Sequence, residues 1–145
     1  MYRRLLIATD GSELAAKAVT SGLTLAKQLG AQVVVVTATE SWSSMTNGEG
    51  LAFDFPIAEY ERAAAEQGER ILAKALADAQ NLAVECETVH VSDFPAEGIL
   101  ATAKAKNCDL IVMASHGQRG IARLLLGSQA TRVVTLSTIP VLVCR

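Results

Sequence analysis

The chain alternates between short apolar runs and longer segments in which apolar positions recur at helical spacing. Leu5 to Thr9 and Val33 to Val36 are unbroken runs, a pattern typical of strands covered on both faces. Residues 82–90, 108–114 and 141–144 are predicted to form three further strands. Helices are predicted over residues 12–29, 56–79, 95–106 and 128–136.

Strands and helices follow each other in strict alternation, beginning and ending with a strand. This order implies a parallel sheet with helices on both faces and right-handed crossovers. Gly30 suits the end of the first helix, and Pro56 suits the first turn of the second. We therefore predict one α/β domain over residues 1–145, in three layers around a five-stranded parallel sheet.

Residues 39–56 differ from the rest of the chain because they are polar and rich in glycine. Trp42, Phe53 and Phe55 add aromatic side chains. A loop of this length inside a small domain is usually a lid, a contact surface or disordered. Its aromatic residues suggest core or interface packing more than a platform for a cofactor.

The amino-acid composition argues mainly against certain classes of protein, such as nucleic-acid-binding and metal-binding ones. The chain has 145 residues, half of them hydrophobic, so it can bury an aliphatic core without disulfides or metal. The net charge is −2 with acids and bases interspersed, and no basic stripe favours nucleic-acid binding. Cys86, Cys108 and Cys144 form no C-x-x-C pair, so we expect core thiols and no zinc or redox site.

The N-terminal segment lacks the features of a targeting signal. Its apolar run, which begins at Leu5, is too brief for the core of a signal peptide. No apolar stretch approaches the length needed to span a bilayer. We therefore expect a cytoplasmic protein that has no membrane partner.

The segment most suggestive of function joins the fourth predicted strand to the last predicted helix. It runs from Met113-Ala114-Ser115-His116-Gly117 through residues 118–126 to Gly127-Ser128. This is the layout of a phosphate-binding turn, since glycines admit a ligand to the backbone and a helix start offers unpaired N–H groups. Ligands of open parallel sheets bind beyond the carboxyl ends of the strands. Asp10, after the first strand, is predicted to face the same crevice if the two strands are neighbours.

This loop matches neither of the commonest phosphate motifs. No lysine follows Gly127, which excludes a Walker loop. The run Gly117-Gln118-Arg119-Gly120 is not G-x-G-x-x-G. On the residues alone, a second interpretation is that Gly117 and Gly120 only turn the chain and that Ser128 caps a helix.

The whole chain resembles a universal stress protein of the small, single-domain kind. Residues 7–12, 109–117, 123–128 and 139–143 carry the resemblance and read IATDGS, DLIVMASHG, RLLLGS and IPVLV. The resemblance implies a Rossmann-like sheet of the adenine nucleotide hydrolase type, with strand order 3-2-1-4-5. It also implies a homodimer formed through the last strand, residues 141–144.

The ATP-binding branch of that family carries glycine, two residues, glycine, nine residues, glycine, and then serine or threonine. Gly117, residues 118–126, Gly127 and Ser128 match this pattern, whereas Ala114 stands at the first glycine. Alanine is the smallest possible departure, so the resemblance still implies ATP binding, weakened if the methyl group intrudes. The residues implied to bind the nucleotide are Ala8, Thr9, Asp10, Ala38, Met113, Ala114, Gly117, Gly127, Ser128 and Gln129.

The resemblance also implies a role for each of these residues. Residues 8–10 line the nucleoside side of the cleft, and Ala38 contacts adenine through its backbone. Residues 113–114 form the floor. Backbone N–H groups of Gly117 and of residues 127–129 hold the phosphates, with the hydroxyl group of the serine as a further donor.

Four charged or titratable residues near the loop have more than one interpretation. Asp10 could accept from a ribose hydroxyl or hold a phosphate-bound Mg²⁺. It could also cap the first helix, since Asp10 and Glu13 have capping-box spacing. His116 could approach a phosphate, although an exposed or hydrogen-bonded turn histidine is the commoner case. Arg119 and Arg123 could present charge to a triphosphate or be ordinary surface residues.

The two expected edge strands differ in how they are protected. Glu85 and Glu87 place charge on one face of the third strand, which guards against edge pairing. Residues 141–144 carry no such guard. An unguarded apolar edge invites pairing with a second copy across a two-fold axis, which agrees with the implied homodimer.

Together these features lead us to expect a dimeric universal stress protein that binds ATP with Mg²⁺ and acts through conformation or a protein partner. Hydrolysis is expected to be slow at most, because no convincing general base is apparent. One alternative is a nucleotide-independent interaction module of the same fold, which Ala114 favours. Another is a slow nucleotide hydrolase or transferase, for which the sequence offers no identifiable nucleophile or metal cluster.

Overall fold

A computed structural model describes residues 1–40, 56–117 and 126–145. The strands are β1 Arg4–Ala8, β2 Gln32–Thr39, β3 Cys86–Ser92, β4 Leu110–Ala114 and β5 Val141–Cys144. The helices are α1 Glu13–Leu29, α2 Ile57–Asn81, α3 Pro95–Ala105 and α4 Ser128–Leu136. None of these described helices has the length and apolar character needed to cross a membrane. Of the predicted 39–56 loop, the part that carries Trp42, Phe53 and Phe55 lies outside the described residues.

The strands form one parallel sheet in the order β3-β2-β1-β4-β5. Ile7 in the central strand pairs with Val35 of β2 on one side and with Val112 of β4 on the other. The predicted fold class and the strand order 3-2-1-4-5 are therefore confirmed. Because the winding direction reverses between β1 and β4, the carboxyl ends of these strands open a crevice.

Two apolar cores cover the two faces of the sheet. Leu5 and Ile7 belong to the core beneath α1 and α2, whereas Leu6 belongs to the core beneath α3 and α4. All three side chains are completely buried. Burial on both faces explains why this strand is a continuous apolar run and does not alternate.

The third strand begins at Cys86, later than the predicted residue 82. Leu82 closes α2, and Ala83 adopts a left-handed φ of 56°. The Val84 N–H then donates to the carbonyl oxygen of Ala79 at 2.9 Å. The apolar residues after α2 therefore belong to a helix-ending turn, which periodicity alone does not distinguish from a strand.

The two helix-boundary residues predicted from the sequence behave differently. Gly30 follows α1 in the left-handed conformation, with φ 63°, as predicted. Pro56 is the N-cap of α2 and lies just outside its first turn. Proline suits this end of a helix because the first N–H groups have no intrahelical partner in any case.

An ion-pair cluster joins the amino ends of the strands, opposite the crevice. β3 is an edge strand, as predicted, and Glu87 forms ion pairs with Lys106 and Arg4. The hydrogen bond from Lys106 is the main reason that the pKa of Glu87 lies below its usual value. Because the pKa of Glu87 is lowered, these pairs persist at neutral pH and weaken as the pH falls through that pKa.

The three cysteines are free thiols. Burial raises the pKa of Cys108 to about 11 and also raises the pKa values of Cys86 and Cys144. A thiol with a pKa near 11 is ionised in only about one molecule in ten thousand at pH 7. Cys108 is therefore unsuited to nucleophilic chemistry, which depends on the thiolate.

Candidate functional site

A cleft of about 620 Å³ opens at the carboxyl ends of β1, β2 and β4. The ten residues implied to bind a nucleotide all line it: Ala8, Thr9, Asp10, Ala38, Met113, Ala114, Gly117, Gly127, Ser128 and Gln129. The reversal of winding between β1 and β4 brings these distant segments together. Their juxtaposition is a feature of the fold, and their binding of a ligand stays a prediction.

The start of α4 offers the clearest anion-binding surface in the described part of the chain. Gly127 is the N-cap, and no described side chain caps this helix. Ser128, Gln129 and Ala130 form its first turn and line the cleft. The N–H groups of a first turn have no intrahelical partner and lie at the positive end of the helix dipole. Such a turn binds phosphate groups readily.

Gly127 itself does not offer its N–H group to the cleft. That N–H donates to the carbonyl oxygen of Ser115 at 2.7 Å. The Ser115 N–H in turn donates to the carbonyl oxygen of Cys144 at 2.7 Å. This corrects the expectation that the N–H of Gly127 holds a phosphate. Gly127 instead joins the start of α4 to the end of β4, and a Cβ at this position would make a tight contact, 3.1 Å from the Ser115 oxygen.

Gly117 and Asp10 meet where the loops after β4 and β1 converge. A Cβ on Gly117 would lie 2.5 Å from Oδ2 of Asp10, so the glycine permits a close approach of backbone and carboxylate. Oδ1 of Asp10 accepts from the N–H of Ser12 at 2.9 Å. The Asp10 carboxylate is thus held at the crevice, where it could meet a ribose hydroxyl or a cation bound to phosphate.

The alternative role of Asp10 as a helix cap is wrong. Ser12 is the N-cap of α1, and its Oγ accepts from the N–H of Ala15 at 3.2 Å. Helix α1 begins at Glu13, so Asp10 lies two residues before the cap. Serine is among the preferred N-cap residues, and the interaction of Asp10 with Ser12 positions this cap from outside the helix.

The methyl group of Ala114 packs against α1. Its side chain packs with Ala15 and Ala18 of α1 and is 7% exposed. Its backbone is part of β4, paired with Cys144 of β5. A regular strand conformation suits alanine as well as glycine, so the departure from the family motif strains neither the strand nor its pairing with β5.

His116 is held by a hydrogen bond and also lines the cleft. Its Nδ1 lies 3.0 Å from Oγ of Ser115, while Nε2 is buried without a hydrogen-bond partner among the described residues. The structure thus favours the hydrogen-bonded turn histidine. Arg119 and Arg123, the candidate triphosphate contacts, lie outside the described residues.

No described cluster of three or more histidine, cysteine, aspartate or glutamate side chains could hold a metal ion. Mg²⁺ differs from metals bound in all-protein cages, because it is commonly held by one or two carboxylates together with substrate phosphates. Asp10 supplies a carboxylate of that kind in the same cleft as the start of α4. The residues present therefore fit Mg²⁺ bound to a nucleotide and no independent metal centre within the described residues.

The side chain of Gln129 fixes one wall of the cleft. Its Oε1 accepts from the N–H of Ala96 at 3.1 Å, which joins the start of α4 to the start of α3. Arg132 and Glu97 add an ion pair between the same helices, with Nε 2.7 Å from Oε1. The backbone N–H of Gln129 remains at the cleft, so the residue can support the wall and still meet a phosphate.

Sequence reasoning missed the wall contributed by α2. Tyr60, Ala64, Gln67 and Ile71 line the cleft and are spaced so that they share one face of the helix. The stripe is visible in the sequence, but its role depends on how α2 crosses the sheet. Thr37 and Thr39, at the end of β2, complete this side.

Comparison with known sequences identifies related proteins along the whole chain. A profile described as the universal stress protein family matches residues 1–145. The chain is 35% identical to universal stress protein YxiE of Bacillus subtilis over 149 aligned positions, covering both proteins completely. It is 30% identical to universal stress protein MJ0531 of Methanocaldococcus jannaschii, covering all of this chain and 83% of that one.

Solved structures share the fold at similar length. Protein MJ0577 of Methanocaldococcus jannaschii superposes with a TM-score of 0.84 at 24% identity, covering 99% of this chain and 96% of that one. A universal stress protein in complex with cAMP gives a TM-score of 0.71 at 26% identity, covering 99% and 97%. A protein of Archaeoglobus fulgidus in complex with dAMP gives 0.71 at 19% identity, covering 99% and 98%.

Proposed function

The chain belongs to the universal stress protein family, and we propose that it binds ATP together with Mg²⁺ in the cleft at the carboxyl ends of β1 and β4. The observation that carries the proposal is the start of α4, where the N–H groups of residues 128–130 lack a described side-chain cap beside Gly117. The related structure in complex with cAMP, which is 26% identical, supports an adenine nucleotide as the ligand.

The charges of the described cleft residues favour binding over rapid hydrolysis. The ionisable residues among its described lining are Asp10, Glu40, Tyr60 and His116, and this lining includes no lysine or arginine. Fast phosphoryl transfer requires positive groups that offset charge developing on the transferred phosphate. We therefore propose that hydrolysis is slow at most and that the protein acts in the cytoplasm through its nucleotide-bound conformation.

Ligand analysis tests the proposal directly. The purified protein is denatured, and the released small molecules are identified by mass spectrometry. ATP with Mg²⁺ is then titrated in a thermal unfolding assay, where a ligand at about 100 times its Kd stabilises by about 2.7 kcal/mol. Absence of any shift at millimolar ATP would favour the nucleotide-independent interaction module.

Replacing Asp10 by asparagine separates its proposed binding of Mg²⁺ from its hydrogen bond with Ser12. Asparagine keeps an oxygen that can accept from the Ser12 N–H, now 2.9 Å from Oδ1, but it removes the charge that Mg²⁺ prefers. We expect Asp10→Asn to lose most of the Mg²⁺ dependence of ATP affinity, with little change in stability. Asp10→Ala should in addition lower stability by about 1 kcal/mol. Calorimetric titrations with and without Mg²⁺ measure this, and an unchanged Mg²⁺ dependence in Asp10→Asn would exclude the metal role.

Restoring the motif glycine should affect stability more than binding. Because the Ala114 methyl group packs on α1, we expect Ala114→Gly to lower the free energy of unfolding by about 1 kcal/mol. ATP affinity should change by less than about twofold, since alanine and glycine both suit the strand conformation at this position. Urea unfolding and calorimetry check both parts. A large gain in affinity would show that the methyl group obstructs the ligand after all.

We propose that two copies associate through β5. This strand lies at the edge of the sheet, and Leu142 in it is 41% exposed. We expect Leu142→Arg to convert a dimer into a monomer, because a buried unpaired charge is costly. Leu29→Arg is the matched control, since Leu29 is 40% exposed at the far end of α1. Sedimentation equilibrium measures the outcome, and a monomeric unmodified protein would refute the proposal.

A further inference from the structure

We infer that α2 supplies the surface that recognises the nucleoside, formed by Tyr60, Ala64 and Gln67. We call these three residues the nucleoside wall. The inference rests on the proposed function, because it assigns the half of the same cleft that the phosphate-binding turn does not occupy. It adds a helix that neither the motif nor the resemblance implied.

The nucleoside wall is one stripe of a long helix. Its members are separated by four and three residues, which places them on one face of α2, and all three line the cleft. Ile71 extends the stripe toward the turn after β1, where a Cβ on Gly11 would lie 2.8 Å from Cδ1 of Ile71. The stripe is therefore anchored against the same turn that carries Asp10.

A glycine brings this part of α2 close to the sheet. A Cβ on Gly68 would lie 3.0 Å from Cδ2 of His90 and 3.5 Å from Cγ2 of Thr37. His90 is in turn held by Thr39, whose Oγ1 lies 2.7 Å from Nε2 of the ring. Close packing on a fixed histidine sets the distance between the nucleoside wall and the end of β2.

Charge indicates which end of a nucleotide faces this wall. The unpaired N–H groups that suit phosphates lie at the start of α4, on the other side of the crevice. Glu40 follows β2 directly and lines the cleft on the side of the wall. A carboxylate repels phosphate at short range, so the phosphates are excluded from this side. The uncharged base and ribose are left to contact α2.

The side-chain amide of Gln67 has the chemistry needed to hydrogen-bond a nucleoside. Its Oε1 accepts from a guanidinium N–H of Arg70 at 2.9 Å, which leaves the NH₂ group as the donor for a ligand. The base presents ring-nitrogen acceptors, and the ribose hydroxyl oxygens also accept. The amide can therefore donate to a nucleoside that lies against α2.

A matched pair of substitutions on α2 tests the wall. Ala64→Leu fills the cleft side of the helix, whereas Ala63→Leu makes the same change at the adjacent exposed position. The probes are ATP, adenosine and inorganic tripolyphosphate, titrated by calorimetry. We expect Ala64→Leu to weaken ATP and adenosine about tenfold and to leave tripolyphosphate unchanged. Ala63→Leu should change none of the three affinities.

A second variant, Gln67→Leu, removes the amide without a change in bulk at Ala64. It should weaken ATP and adenosine about fivefold and leave tripolyphosphate unchanged, and circular dichroism confirms that each variant is folded. If the unmodified protein binds ATP and both cleft variants bind it equally well, the inference fails while the proposed function stands. Equal losses for ATP and tripolyphosphate would also overturn it. Absence of ATP binding by the unmodified protein would refute the proposed function itself.

Discussion

Replacing Gly127 by valine is expected to lower the affinity for ATP about a hundredfold without unfolding the domain. A Cβ at this position would lie 3.1 Å from the carbonyl oxygen of Ser115 and 3.5 Å from Cα of His116. These are backbone atoms, so the branched side chain can fit only if the start of α4 moves away from the end of β4. The N–H groups of residues 128–130 would then no longer converge with Gly117 on one phosphate.

The size of this effect follows from the hydrogen bonds that would be lost. Hydrogen bonds to a charged group contribute about 1.5–3 kcal/mol each, and two at the lower limit correspond to about a hundredfold in affinity. Gly127→Ala should have an intermediate effect, because its Cβ contact is tight but unbranched. Ser128→Ala removes only a hydroxyl group and should cost less than about tenfold. Calorimetry on the three variants measures this order, and wild-type affinity in Gly127→Val would contradict it.

The largest effect on stability is expected from Gly22→Leu, which should lower the free energy of unfolding by about 3 kcal/mol. A Cβ on Gly22 would lie 2.6 Å from Cδ1 of Ile7 and 3.3 Å from Cγ1 of Val112. Both neighbours are completely buried, so neither side chain can move aside without disturbing the core. The glycine therefore permits a close contact between α1 and the centre of the sheet.

Helix propensity alone predicts that Gly22→Ala raises the free energy of unfolding, which is opposite to the change expected from the packing. Alanine stabilises an exposed helix interior by about 1 kcal/mol relative to glycine, whereas we expect Gly22→Ala to destabilise the protein. Thr24→Leu is the control, because Thr24 lies on the exposed side of α1 and should change stability by less than about 0.5 kcal/mol. Urea unfolding measures all three variants. A gain in stability for Gly22→Ala would show that the helix can retreat from the sheet.

The parts of the fold that were predictable from the sequence are those set by local pattern. The apolar runs at Leu5 and Val33 indicated buried strands, and their alternation with helices indicated a parallel sheet. Once the strand order was fixed, Asp10 and Gly117 had to meet, because carboxyl ends of parallel strands share one edge. The same argument predicted which residues at the ends of β1 and β4 line the cleft.

The parts that were not predictable depend on contacts between distant or irregular segments. The N–H of Gly127 donates to Ser115, and a single hydrogen bond across a loop leaves no periodic trace in the sequence. The nucleoside wall on α2 required the crossing position of that helix, which Gly68 sets through its contact with His90. The late start of β3 reflects the turn at Ala83, whose apolar neighbours resemble a strand.

The most direct test of the central claim is a nitrogen-15 NMR titration of the protein with ATP and Mg²⁺. We predict that the amide signals of Gly117 and residues 128–130 shift most, because their N–H groups meet the phosphates. The Gly127 signal should shift less, since its N–H remains bonded to Ser115. The amide of Asp109, in the ion-pair region at the opposite end of the sheet, should not move. Shifts confined to β5, or no shifts at millimolar ATP, would contradict nucleotide binding at this cleft.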